Sequence, residues 1–154
     1  MAPTTLQTAL VFVGAFFAIG FAASGSAFGC GFAAASAIGS WKKCYAQGKD
    51  APFQLSILTG VPMSQTIYGL ILMLSIAGKA QTPAFWPACL AIGILGGLGI
   101  GLSAFYQGKA AADACDAFVE TRQGFVNYLL ALGIVETIAI FVMVFAILLL
   151  GKIA

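Results

Sequence analysis

Charged residues are scarce in this sequence. Only 8% of the 154 residues are charged, against about 25% in a typical soluble domain, while 61% are hydrophobic. The net charge of +2 is too small to indicate a nucleic-acid partner. This composition excludes an ordinary soluble domain and predicts an integral membrane protein.

Three further absences narrow the function. The glycines lie in apolar stretches without the Gly-Lys-Ser/Thr signature of a phosphate-binding loop, so no nucleotide site is predicted. The N-terminal MAPTTLQ has no lysine or arginine, whereas a cleaved signal peptide normally starts with a basic region, so we expect the first helix to remain in the mature protein. The four cysteines show no metal-ligand spacing and are interpreted as small buried residues or free thiols rather than a disulfide or metal site.

Four apolar stretches are long enough to cross a bilayer, which takes about 20 residues of helix. They run from Leu6 to Ser40, from Phe53 to Ala77, from Ala88 to Ala112 and from Gly124 to Leu150. Because irregular backbone cannot face lipid, each stretch is predicted to be a transmembrane helix. The fold class is therefore all-α, with four spans.

The basic residues predict the orientation of these spans. Five of the seven lie near the connections between spans 1 and 2 and between spans 3 and 4: Lys42, Lys43, Lys49, Lys109 and Arg122. Cytoplasmic loops of membrane proteins carry an excess of lysine and arginine. We therefore expect both of these loops in the cytoplasm and both termini outside.

The chain contains an internal repeat. The segment SAFGCGFAAASA (26–37) is identical to SAFYQGKAAADA (103–114) at eight of twelve positions, and Thr-Ile recurs in QTIYG (65–69) and ETIAI (136–140). Such a repeat is typical of a duplicated helical hairpin, so we divide the chain into a first hairpin, 1–80, and a second, 81–154. Gln65 of the first copy then corresponds to Glu136 of the second, and Cys30 to Gln107, which leaves one carboxylate for every four helices.

Glu136 is the one charge in LALGIVETIAIFVMVFAILLL, residues 130 to 150. A carboxylate at mid-membrane costs a few kcal/mol or more unless a proton or a bound cation neutralises it. An ionisable residue at this depth is therefore predicted to be functional. A structural glutamate that only forms hydrogen bonds is the alternative.

Other polar residues are predicted at the same depth. The sequence midpoint of Gln65 and Gln107 falls at 86, inside TPAFWP, and that of Gln107 and Glu136 falls near 122, beside ETRQG; both segments are typical of turns. Residues equally far from a turn share one level, so these three side chains form a candidate site. Ser64 and Tyr68 lie near Gln65 on overlapping faces of span 2.

Pro62 precedes this group on span 2. A proline inside a helix removes one backbone hydrogen bond and clashes with the carbonyl four residues earlier. The result is either an ordinary kink or a kink that turns the carbonyl of Val61 toward the site.

Spans 1 and 3 are rich in glycine, whereas spans 2 and 4 carry bulkier leucine, isoleucine, phenylalanine and methionine. Gly25–Gly29, Gly93–Gly97 and Gly97–Gly101 have the small-xxx-small spacing that lets helix backbones approach closely. Two interpretations remain open: a wedge-shaped subunit whose spans 1 and 3 line the inside of a homo-oligomeric ring, or packing within one four-helix bundle.

Together, the duplicated hairpin, the glycine-rich odd spans and GIVETIAIF with its single glutamate resemble the proteolipid (c or K) subunits of rotary V/A-type ATPases, in particular the sodium type. The resemblance covers essentially the whole chain. It implies a non-catalytic rotor subunit without a cofactor, which transports Na⁺ or H⁺ while another sector hydrolyses or synthesises ATP. The partners it implies are identical subunits in a ring, a stator subunit with a half-channel, a central-stalk subunit on the cytoplasmic loops and the lipid of a prokaryotic plasma membrane.

The resemblance also implies a set of ligands. In sodium-type members these correspond to Glu136, Gln107, Gln65, Ser64 and the backbone carbonyl of Val61, with Tyr68 orienting the carboxylate. A metal cation such as Na⁺ needs an oxygen shell to replace its water, as other hard cations do, whereas a proton needs only the carboxylate. Na⁺ is therefore favoured, and a proton carrier whose glutamines brace Glu136 is the alternative.

Two other functions stay open. A four-span protein with one membrane carboxylate could be a small proton-coupled multidrug exporter, which would need a cavity for its substrate. A purely structural spacer in the membrane would not need Glu136 at all.

Overall fold

The computed structural model describes residues 5–153, so the terminal residues for which an outside location is predicted, 1–4 and 154, lie beyond the described part. The described chain is helical. It contains α1 (Thr5–Ala46), α2 (Gln54–Gly60), α3 (Ser64–Ala77), α4 (Trp86–Thr121) and α5 (Phe125–Lys152). Short 3₁₀ segments occupy Val61–Met63, Gly78–Gln81 and Pro83–Phe85.

Four helical segments are long and apolar enough to cross a membrane, which confirms the predicted all-α fold with four spans. They are Thr5–Ala46, Gln54–Gln81, Pro83–Thr121 and Phe125–Lys152. The first and third are longer than predicted, because helix continues past Ser40 to Ala46 and past Ala112 to Thr121. At about 1.5 Å per residue α1 is roughly 63 Å long, about twice the hydrocarbon thickness, so one end of the bundle extends beyond the membrane.

α1 and α4 pack directly against each other, backbone to backbone. A Cβ atom added at Gly97 would lie 2.6 Å from the carbonyl oxygen of Phe17, and one at Gly14 would lie 2.7 Å from that of Cys89. A Cβ at Gly108 would likewise collide with the backbone of Gly29. The residue numbers of the contacting pairs increase together along both helices, so α1 and α4 run parallel. Within one chain, these glycines therefore serve the packing of the bundle.

Span 2 is broken at Pro62. The segment Val61–Met63 is 3₁₀ rather than α-helical and separates α2 from α3, and Pro62 is buried there. A proline cannot donate the helical hydrogen bond to the carbonyl four residues earlier, which explains why the regular helix stops. The regular helix is thus interrupted at the proline from which the sequence predicted a kink.

The extended end of the bundle is held by polar contacts. Arg122 has a left-handed backbone (φ 58°) where α4 ends, and its guanidinium donates a 2.6 Å hydrogen bond to the carbonyl of Asp50 in the first loop. Lys43 and Asp116 form a 2.9 Å ion pair between α1 and α4. Both connections of the predicted cytoplasmic side are thereby joined at one end of the protein.

The four cysteines are free thiols, in line with the prediction, and three of them are buried. The apolar core forms two clusters along the bundle. One contains Leu72, Ile100 and Ala139. The other contains Leu58, Ala111 and Leu132. On α3, α4 and α5 alike, a polar layer lies between the two clusters.

Candidate ion-binding site

The polar layer contains the side chains predicted to share one depth. Gln65 and Gln107 are completely buried, and Glu136 is half-buried beside them. Each of the three lies on a different helix, namely α3, α4 and α5. The sequence midpoints at the turns predicted that these three residues share one level in the membrane, and the structure brings them together there.

Glu136 accepts hydrogen bonds at both carboxylate oxygens. The Tyr68 hydroxyl donates to Oε1 at 2.6 Å, and the Gln107 amide nitrogen lies 3.4 Å from Oε2. Among residues 5–153 no lysine or arginine forms an ion pair with Glu136. The carboxyl group is thus held by neutral donors from two neighbouring helices.

The two glutamines connect α3 to α4. Gln65 Nε2 donates a 2.7 Å hydrogen bond to Gln107 Oε1. Gln107 Nε2 also donates a 2.9 Å hydrogen bond to the backbone carbonyl of Leu132 on α5. Gln107 therefore contacts both neighbouring helices and sits between Gln65 and Glu136.

Ser64 continues the layer toward the break in span 2. Its hydroxyl lies 3.2 Å from the carbonyl oxygen of Val61 and 3.2 Å from Gln65 Oε1. The Val61 carbonyl belongs to the 3₁₀ segment and also accepts the backbone N–H of Ser64. This contact joins residues three apart on span 2, so the orientation of the Val61 carbonyl toward the site stays a prediction.

A continuous chain of polar contacts results, in the order Val61 carbonyl, Ser64, Gln65, Gln107, Glu136 and Tyr68. Within the described residues, no three His, Cys, Asp or Glu side chains cluster as they would at a transition-metal site. The layer is instead rich in hydroxyl, amide and carbonyl oxygens beside one carboxylate. Oxygen ligands of this kind suit a hard cation.

Two contacts of the layer were not predicted from the sequence. Ser103, one turn before Gln107 on α4, donates a 2.8 Å hydrogen bond to the carbonyl of Val135. The Leu132 carbonyl accepts from Gln107, as described above. A backbone acceptor carries no signal in the sequence, although Ser103 does lie in the repeated SAF segment.

The sequence is similar to known proteins that indicate its family. Residues 90–149, which include Gln107 and Glu136, match the model of the ATP synthase C-subunit family. The chain is also 33% identical over 138 residues to the A-type ATP synthase subunit K of Methanocaldococcus jannaschii. Over residues 90–149 the chain is similar to the ATP synthase C subunits. The resemblance inferred from the sequence is confirmed at this level.

The family match covers the second hairpin, whereas the match to the archaeal relative extends over most of the chain. That alignment includes 90% of this chain and 60% of the relative's length. The chain therefore spans well under the full length of the curated relative.

Proposed function

We propose that this chain is the ion-carrying, non-catalytic subunit of a rotor ring in an A/V-type ATP synthase or ATPase, and that it binds one Na⁺ at Glu136. The observation that carries the proposal is the continuous polar chain from the Val61 carbonyl to Glu136 in an otherwise apolar core. The ligands are Glu136, Gln107, Gln65, Ser64 and the Val61 carbonyl, with Tyr68 orienting the carboxylate.

The spacing of the oxygens is compatible with a bound cation. Cation–oxygen bonds of about 2.4 Å, the length seen for Ca²⁺, place neighbouring ligand oxygens roughly 3.4 Å apart when they subtend a right angle. The Ser64 hydroxyl oxygen lies 3.2 Å from both the Val61 carbonyl oxygen and Gln65 Oε1. At this spacing the Ser64 hydroxyl oxygen could share one ion with either neighbour.

Glu136 also needs a neutralising partner in the membrane. Both of its oxygens face donors, the Tyr68 hydroxyl and the Gln107 amide. The Tyr68 hydroxyl can also accept a hydrogen bond, so this contact fits a carboxylate or a protonated carboxyl group. Because no basic side chain pairs with Glu136 in the described part of the chain, a bound cation or a proton would balance its charge in the membrane, and we assign this role to Na⁺.

The proton-carrying ring is the alternative within the same family. In that case Gln65 and Gln107 hold a protonated Glu136 by hydrogen bonding, and selectivity for Na⁺ is absent. Protection of Glu136 by Na⁺ against a carbodiimide distinguishes the two.

The same proposal includes the partners. Identical copies form the ring, a stator subunit with a half-channel exchanges the ion at Glu136, and a central-stalk subunit binds the two loops near Arg122. Those loops are then cytoplasmic in a multi-pass protein of a prokaryotic plasma membrane, with both termini outside. The rotor functions in either direction, with ATP synthesis or hydrolysis in the other sector.

No specific observation favours the multidrug exporter. Two surface grooves lie between α4 and α5, with volumes of about 260 and 390 Å³. Neither is lined by Glu136. A proton-coupled exporter needs its carboxylate in contact with the substrate cavity.

The test is the reaction of Glu136 with a fluorescent carbodiimide, which attacks the protonated acid, in the detergent-solubilised ring. Millimolar NaCl should slow the labelling, and KCl at the same ionic strength should not. Because Na⁺ and H⁺ compete for the same oxygens, protection should strengthen as the pH rises.

Glu136→Gln should abolish both labelling and transport. Glu120→Gln, which changes an exposed carboxylate at the end of α4, is the matched control and should leave both intact. If labelling follows pH alone and ignores Na⁺, the ring carries protons and the sodium assignment is wrong.

A further inference from the structure

We infer that Ser103 is a positioning residue for the ion site, because its hydrogen bond to the Val135 carbonyl fixes the turn of α5 that carries Glu136. Val135 directly precedes Glu136, and the Ser103 hydroxyl lies 2.8 Å from its carbonyl oxygen. The inference rests on the proposed role of Glu136 and adds a residue outside the ligand set.

The effect of Ser103 depends on a second attachment nearby. Gln107, one turn further along α4, donates a 2.9 Å hydrogen bond to the Leu132 carbonyl, one turn before Glu136 on α5. A single hydrogen bond would let α5 pivot about the contact. Two bonds a turn apart fix both the rotation and the height of α5 against α4.

Interhelical hydrogen bonds matter in this environment because lipid tails provide no hydrophobic force that holds helices together. Ser103 is only 6% exposed, so its hydroxyl has no access to water that could replace the contact. The Val135 carbonyl can accept this bond in addition to its helical one, since a carbonyl oxygen has two lone pairs.

The internal repeat provides a comparison within the same molecule. Ser26 of the first hairpin occupies the position that Ser103 occupies in the second. Its hydroxyl is buried and, among the described residues, has no hydrogen-bond partner. The difference coincides with the break in span 2, where 3₁₀ backbone at Val61–Met63 stands in place of the regular helix at 132–134.

The duplicated serines therefore supply a matched pair of variants. Ser103→Ala and Ser26→Ala remove the same hydroxyl from equivalent buried positions, but only the first removes a hydrogen bond to α5. The readout is the Na⁺ concentration that halves the rate of carbodiimide labelling of Glu136, measured on the intact ring.

Ser103→Ala should raise this concentration roughly three- to tenfold, the range expected for one interhelical hydrogen bond in a membrane. Ser26→Ala should leave it unchanged, and Ser103→Thr, which keeps the hydroxyl, should restore it. If Ser103→Ala fails to assemble, Ser103→Cys takes its place, because the thiol is close in size and a weak donor.

A second readout separates this inference from the sodium proposal. If Na⁺ does not protect even the unaltered protein, the sodium assignment fails, and the labelling rate in Na⁺-free buffer at one fixed pH becomes the measure for Ser103. A change in that rate for Ser103→Ala but not for Ser26→Ala supports the positioning role. Equal behaviour of the two alanine variants in both readouts overturns it.

Discussion

The Tyr68 hydroxyl on α3 lies 2.6 Å from Glu136 Oε1 on α5, which joins the second and fourth spans at the carboxylate. The opposite carboxylate oxygen faces Gln107 on α4. Glu136 is therefore held from two sides, and its direction depends on side chains from both hairpins. A site built in this way can be weakened without removing the acid itself.

Tyr68→Phe tests this dependence. The variant keeps the ring but loses the hydroxyl, so the carboxylate should be less well oriented. The Na⁺ concentration for half-protection of Glu136 should rise roughly tenfold or more, as expected for a hydrogen bond to a charged group. Tyr106→Phe, on the exposed face of α4, should behave like the unaltered protein. Equal protection in the two variants would show that Tyr68 has no orienting role.

Leucine variants of Gln65 and Gln107 separate the effect of this pair on the stability of the protein from its effect on ion binding. Gln107→Leu leaves the buried amide of Gln65 without its partner, which should cost about 1–3 kcal/mol, whereas replacing both partners by apolar side chains can be nearly neutral. The double variant Gln65→Leu/Gln107→Leu should therefore dissociate at a higher temperature than Gln107→Leu. Na⁺ protection of Glu136 should be weak in both, with Glu136 still reactive. A double variant that is less stable than the single one would contradict the pairing.

Gly97→Ala probes the contact between α1 and α4. The added Cβ would lie 2.6 Å from a backbone oxygen, which cannot rotate away, and overpacking of this kind costs about 1–3 kcal/mol. The yield of folded subunit should fall. Gly31→Ala is the matched control on α1, because a Cβ there meets nothing within 4 Å. Comparable losses in both variants would mean that close approach is not the cause.

The predicted orientation can be tested with cysteine substitutions at exposed loop residues. Cys44 and Cys115 lie near the extended end but are at most 2% exposed, so they are poor reporters. Gln47→Cys should be protected from an impermeant thiol reagent added outside intact cells, whereas Gln81→Cys at the opposite end should react. Both positions are exposed. The reverse pattern would invert the topology.

Much of the site could be predicted because the spans are long helices. Each residue of a helix advances it by about 1.5 Å, so the distance from a turn along the sequence measures depth. This reasoning brought Gln65, Gln107 and Glu136 to one level, where the structure joins them by hydrogen bonds. Pro62 likewise indicated the break in span 2, because its effect on a helix is local.

The unpredicted features depend on contacts between distant backbones. The carbonyls of Leu132 and Val135 accept side-chain hydrogen bonds, but every residue has a carbonyl, so the sequence cannot distinguish these two. Glycine spacing indicated close approach without naming the partner helix, and left a ring and a bundle equally open. The continuation of α1 to Ala46 was missed because hydrophobicity ends at the membrane surface, whereas helical hydrogen bonding does not.

The pairing of α1 with α4 also affects the order in which the protein can assemble during its synthesis. Gly97 is synthesised 80 residues after Phe17, the residue that it contacts. At about 5–20 residues per second, this delay is roughly 4–16 seconds. Until then the small-residue face of α1 has only lipid beside it, apart from its contacts with the second span. The first hairpin must therefore persist in the bilayer as an unfinished half, and the nascent chain completes its own interior only when the third span inserts.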